Sequence, residues 1–162
     1  MRVYRIYRKR RRDAAFTGEG ARISGARWNL PGTPVVYTCS TLSLCLLEFF
    51  VHFDPEAVDI TRLHLEYRWA DIPDALTRLE VRDAGLPTNW KEIPWPQSTQ
   101  ELGTKWIVHA QYAVVSVPSV VLPVERNFLL NPAHPAFSEI RIGPPLALEI
   151  DPRLFARRNP QV

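Results

Sequence analysis

The chain has 162 residues, of which 46% are hydrophobic and 23% charged, with a formal net charge of +3. That length fits a single domain over 1–162, and folding it hides about 70% of the unfolded surface, so a core forms without metals or disulfides. No run of about 18 apolar residues exists, which excludes a helical membrane span, and two cysteines, Cys39 and Cys45, exclude a disulfide scaffold.

The opening, MRVYRIYRKRRR, has no apolar stretch after its charges, so a secretory signal is not expected and the default compartment is a reducing cytoplasm. The same segment carries 7 of the 20 basic residues, leaving 13 basic against 17 acidic over residues 13–162. A nucleic-acid binder spreads positive charge over a face; here it sits in one short run, so no direct nucleic-acid contact is expected. The run about 8–12 reads as a solvated segment, with one or two arginines among Tyr4 and Tyr7 able to reach an anionic ligand.

In chain order, Val3–Arg8 alternates like a half-buried strand, and Pro34-Val-Val-Tyr-Thr reads as a short buried one. Ser40 or Thr41 caps a helix running to about His52. A strand is expected at 57–67 and a short helix or turn at 71–81. Residues 86–99 read as a loop with two buried tryptophans. Ser98 or Thr99 opens a helix near 99–112 with Leu102, Trp106, His109 and Ala110 on one stripe. Further strands are expected at 113–121, 128–131 and 146–150, before a tail from about 152. Fifteen prolines keep long helices out of the stretches where they cluster. The pattern is mixed α and β without βαβ alternation.

Neither phosphate-cradling glycine loop is present, no H-x-x-x-H pair exists, and a zinc site is not expected. The informative stretch is 22–53. In its helix, Leu42, Cys45, Leu46, Phe49 and Phe53 form one apolar stripe and Leu44, Leu47 and Val51 a second. A helix apolar nearly all round is buried, which puts Glu48 in or beside the core. Its carboxylate then needs cationic or hydrogen-bonding partners, or a raised pKa. A structural pair with an arginine meets that need as well as a catalytic setting does. Arg27 follows Gly25-Ala26 and precedes a turn-like Asn29-Leu-Pro-Gly; it suits either close contact with a phosphate or stacking on Trp28.

The order G-A-R-W-N-x-P-G, V-Y-T, S-x-x-L-C-L-L-E, then Gly103-Thr-Lys-Trp106, Val117-Pro-Ser119 and Glu125-Arg-Asn127-Phe-Leu-Leu-Asn131 resembles the RES domain over nearly the whole chain. The resemblance implies an α+β fold like that of the ADP-ribosyltransferases: a compact β core of two small sheets flanked by helices. It also implies a toxin of a bacterial type II toxin–antitoxin pair, partnered by an Xre-type helix-turn-helix antitoxin. Such proteins break NAD+, as substrate, at the nicotinamide bond by hydrolysis or phosphorolysis, and some ADP-ribosylate proteins. By motif, Arg27, Tyr37 and Glu48 match catalytic positions. Arg5, Arg27, Tyr37, Ser119 and Asn127 match NAD-binding ones, and no metal is implied. On this reading Glu48 opposes the charge developing on ribose, Arg27 and Arg5 meet the pyrophosphate, Tyr37 packs against nicotinamide or ribose, and Ser119 supplies a hydroxyl. Arg8–Arg12 is expected to help engage the antitoxin.

Overall fold

The computed structural model describes residues 1–52 and 64–154. Eight strands and three α-helices occur among them: β1 (Arg2–Arg8), α1 (Glu19–Ser24), β2 (Val36–Cys39), α2 (Leu42–Val51), β3 (Leu65–Asp71), β4 (Arg78–Glu80), α3 (Gln97–Val108), β5 (Val114–Pro118), β6 (Arg126–Leu130), β7 (Arg141–Ile142) and β8 (Leu146–Ala147). The strand order is β4-β5-β6-β2-β1-β3-β7, with β8 also on β3. Among the described strands, only β4 and β5 pair in parallel.

Two ladders make up this sheet. β2 is matched to β6 over four residue pairs and β6 to β5 over five, while β1 is matched to β3 over seven. A single pair, Tyr4 with Cys39, joins the halves. The α+β expectation of two small β units therefore holds, with the units hinged on one pair in a continuous strand order. Adjacent residues in the first ladder bury opposite faces. Val36, Val114 and Leu130 pack with Val3, Tyr7 and Phe16, whereas Val35, Val115 and Leu129 pack with Trp28, Trp90 and Ile107. Burial on both faces explains why these segments read as continuous apolar runs.

Thr41, not Ser40, caps α2: its hydroxyl accepts from the Leu44 amide at 3.0 Å. The helix is not buried all round. Leu44 and Cys45 are buried, but Leu47 is 41% and Val51 58% exposed. α2 packs on β1 and β2; Phe53 lies outside the described residues.

Other expectations shift. The strand expected at 57–67 falls mostly outside the described residues, and β3 begins at Leu65. Residues 71–81 form a turn, with the Leu76 amide on the Pro73 carbonyl, and then β4, because β5 offers that segment an edge to pair with. α3 starts at Gln97 and ends at Val108, and its buried stripe is Thr99, Gly103 and Ile107. Leu102 and Trp106 are only half-buried and His109 is exposed. Gly103 sets this rotation: a Cβ there would lie 2.1 Å from the Trp28 carbonyl oxygen, so the helix rests its bare face directly on backbone. Trp90 is buried as expected, but Trp95 is 37% exposed. No helix among the described residues is long and apolar enough to cross a membrane.

Candidate active site

Where β5 and β6 leave the sheet beside α2, three residues meet. Ser119 Oγ accepts from the amides of Val121 and Leu122 at 3.1 and 3.0 Å. With its lone pairs so occupied, its proton goes to Glu48 Oε1 at 2.8 Å. From β6, Asn127 Nδ2 donates to the same oxygen at 2.6 Å. Glu48 is half-buried, and none of the described residues forms an ion pair with it within 4 Å or donates to Oε2. Two neutral donors thus fix the carboxylate by one oxygen and leave the other free. The structural arginine pair that the sequence leaves open is not what the acid has.

The start of α2 is tied to the same corner. Ser40 and Thr41 hydroxyls donate to Glu125 Oε2 at 3.0 and 2.8 Å. Glu125 lies in the connection between β5 and β6, and its negative charge at a helix N-terminus is favourable. Sequence reasoning missed this tether, which depends on a contact across 84 positions.

Arg27 stands on a tight loop. Ala26 and Asn29 exchange backbone bonds of 3.0 and 3.2 Å, which places Arg27 and Trp28 at the tip. Fully buried Asn29 holds this loop: its Nδ2 donates to the carbonyls of Ala21, Leu30 and Thr33. Its Oδ1 accepts the Tyr37 hydroxyl proton at 2.7 Å, and that hydroxyl accepts from the Trp28 amide at 3.1 Å. Burial pushes the Tyr37 phenol up, so it stays neutral. From α3, Gln100 donates to the Ala26 and Asn29 carbonyls, and Thr104 accepts from the Leu30 amide. Trp28 stacks on Trp106 and packs tilted against Trp90, with ring centroids 5.8 and 6.1 Å away; its ring is engaged by these tryptophans, and the Arg27 guanidinium turns to backbone carbonyls instead. Asn29, Gln100 and Gly103 are positioning residues that the sequence analysis did not find. The one available signal was Gly103, a glycine inside a helix where alanine is favoured.

The Arg27 guanidinium donates to the carbonyls of Trp90 and Glu92 at 2.5 and 3.0 Å, with no carboxylate within 4 Å among the described residues. Burial lowers its pKa, while the negative charge of Glu48 acts in the opposite direction.

Arg5 fills the place where β1 and β2 diverge after their single pair. Its Nη1 donates to the Tyr37 carbonyl at 2.6 Å, and its Nε is buried without a partner. Burial lowers its pKa. Beside it, Cys45 donates to the Tyr4 carbonyl at 3.0 Å, and the neighbouring Cys45 together with burial pushes the Cys39 thiol up; both thiols are free. In the basic run, Lys9–Arg11 forms one exposed 3₁₀ turn, but Arg12 is a structural residue bound through two nitrogens to Glu66. No group of histidine, cysteine and carboxylate side chains able to hold a metal occurs among the described residues.

The site therefore joins Glu48, Ser119 and Asn127 in one hydrogen-bonded cluster, with Arg27 and Tyr37 on an adjoining one and Arg5 linked to it through the Tyr37 carbonyl. The RES domain model matches residues 2–151. The chain is 36% identical over 155 residues to a protein of Yersinia enterocolitica named "Toxin Res", covering 95% of this chain and 99% of that one. It is 34% identical over 144 residues to a "Prs ADP-ribosylating toxin" of Sphingobium, covering 88% of each. Its fold is shared with a chain of the Mycobacterium tuberculosis MbcT–MbcA toxin–antitoxin complex, at a TM-score of 0.72 and 22% identity, over 95% of this chain and 86% of that one. Family model, relatives and fold agree: the chain belongs to the RES-domain family.

Proposed function

We propose that this protein is the toxin of a toxin–antitoxin pair and that it breaks NAD+ at the bond between nicotinamide and ribose. The observation that carries this reading is the Glu48 carboxylate, anchored by two neutral donors on Oε1 and without an ion-pair partner within 4 Å among the described residues. Cleaving that bond lets nicotinamide leave with the bonding electrons and develops positive charge on the sugar, as in other glycosyl transfers. A fixed carboxylate whose second oxygen holds ribose opposes that charge without having to reorganise. Arg27 meets the pyrophosphate, where a guanidinium binds two oxygens at once. Arg5, a half-buried cation whose buried Nε has no partner, supports it from β1. Tyr37 acts through the loop it anchors, with its ring beside nicotinamide or ribose. Ser119 acts on Glu48 and not on substrate, because its proton is already given. Water or phosphate then adds to the anomeric carbon, and no metal takes part.

A second reading uses the same site for transfer of ADP-ribose to a protein, and the name of the Sphingobium relative favours it. Adenosine-labelled NAD+ separates these outcomes: free ADP-ribose means hydrolysis, ADP-ribose-1″-phosphate means phosphorolysis, and label on protein means transfer. If NAD+ remains intact, both readings fail. An enzyme that drains NAD+ acts in the cytoplasm and needs restraint, which fits an Xre-type antitoxin partner. The exposed turn Lys9–Arg11 is the part of the basic run available to it; Arg12 is already engaged with Glu66.

A further inference from the structure

The hydrogen bond from Ser119 to Glu48 has its donor on one element and its acceptor on another. Ser119 heads the connection from β5 to β6, and Glu48 lies in the second turn of α2. Such a bond weakens steeply as its angle drifts. The register between connection and helix therefore sets how firmly the acid is held.

Glu125 meets both sides of that junction. Its carbonyl accepts from the Ser119 amide at 3.1 Å, and its amide donates to the Leu122 carbonyl at 2.9 Å. These bonds close 119–125 into a small loop around fully buried Ser119. The carboxylate reaches out of that loop: Oε2 alone takes the hydroxyl protons of Ser40 and Thr41 at 3.0 and 2.8 Å, and Thr41 is the cap of α2. The Ser40 amide adds a second tie, to the Arg126 carbonyl at 2.9 Å. None of the described residues forms an ion pair with Glu125 within 4 Å. In a chain with 20 basic residues, this acid is spent on two hydroxyls at the start of a helix, where it joins elements and neutralises no cation.

We infer that Glu125 is a positioning residue of this site, holding the β5–β6 connection and α2 in the register that the Ser119–Glu48 bond needs. This rests on the reading of the site as one that cleaves NAD+. Glu125 acts on the acid through Ser119 and α2, not on substrate. Releasing the tether lets Glu48 drift from the place where charge develops, so the loss falls on the chemical step. Substrate binding through Arg27 is spared, because Asn29 and α3 hold that loop independently.

The test measures nicotinamide release from NAD+ by wild type, Glu125→Ala and Glu125→Gln, each also in a Ser119→Ala background. Glu125→Ala is expected to lower kcat about tenfold, the order of one charge-assisted hydrogen bond, with KM within about twofold. Glu125→Gln keeps an oxygen that accepts from both hydroxyls and should stay within about threefold of wild type. Once Ser119 has lost its hydroxyl there is no bond to keep in register, so Glu125→Ala should then cost less than about twofold. Equal losses in the two backgrounds, or a loss that appears in KM, overturn the inference, since a glutamate that only stabilises the fold gives no such coupling. Ser40→Ala removes one hydroxyl and leaves the Thr41 cap; it carries the comparison, at about threefold, if the Glu125→Ala protein does not fold. If wild type releases no nicotinamide from NAD+ at all, the cleavage reading falls and this inference with it; cleavage without coupling removes this inference alone.

Discussion

Two regions of the sheet treat charge in opposite ways. Two acids of β3 are neutralised as pairs: Arg2 binds both oxygens of Asp71, and Arg12 binds both oxygens of Glu66. At the corner of β2, β6 and α2, Glu48 is held by a hydroxyl and an amide on one oxygen, Arg27 by two backbone carbonyls and Arg5 by one. The first arrangement leaves nothing for a ligand to do. The second gives an acid and cations neutral partners only, and on the proposed reading a molecule bearing both hydroxyls and phosphates satisfies them together. A buried carboxylate is therefore not by itself a sign of function; what its second oxygen touches decides.

The sharpest way to break this comparison is to neutralise each acid in turn. Glu48→Gln is expected to lower the purified protein's rate of NAD+ loss by about 10²–10³, the cost of removing one fixed electrostatic stabiliser, with the circular dichroism spectrum unchanged. Glu66→Gln is expected to leave that rate within about twofold. Equal losses would erase the distinction between the two regions.

Arg27→Ala comes next. Losing a charge-assisted contact to phosphate costs about 1.5–3 kcal/mol, so KM for NAD+ should rise roughly tenfold to a hundredfold with a smaller change in kcat. An unchanged KM would place the pyrophosphate elsewhere. Tyr37→Phe removes the proton from buried Asn29 Oδ1 and the acceptor from the Trp28 amide. A loss of about 1–3 kcal/mol in chemical denaturation is expected, together with a raised KM as the Arg27 loop loosens.

How much of this was legible depends on how local the cause is. β1, β2 and α2 follow from alternation, a β-branched run and a capping threonine, and Glu48 stands out as the one acid in an apolar helix. The support of Arg27 is another matter. Asn29 reaches three carbonyls and a tyrosine on β2, and α3 contributes Gln100 and Thr104, all set by tertiary placement. The stripe of α3 is hard to read because the helix meets Trp28 backbone through Gly103, so the middle of its contact face carries no side chain and the large residues of the apparent stripe fall beside it. Burial of α2 was overestimated because apolar character shows what a helix tolerates, not what covers it.

Two smaller effects sharpen the contrast. Arg12 holds the Glu66 carboxyl below its usual range, so near pH 4 the unfolded chain binds more protons than the folded one. The resulting stability is complete above the unfolded value of about 4.3 and is lost as pH falls through the folded value. Glu66→Gln should therefore lower the thermal midpoint at neutral pH and flatten its decline in acid; a parallel decline would mean the pair contributes nothing. Val51→Ser, at a position of α2 that is 58% exposed, should change stability by no more than about 0.5 kcal/mol. A larger loss would show that the Val51 side chain carries packing energy.

The most direct test of the central claim is the NAD+ content of cells in the minutes after expression of this chain without an antitoxin. The account predicts a collapse with the wild-type sequence and none with Glu48→Gln at equal protein level. NAD+ that holds steady with both, or falls equally with both, would contradict it.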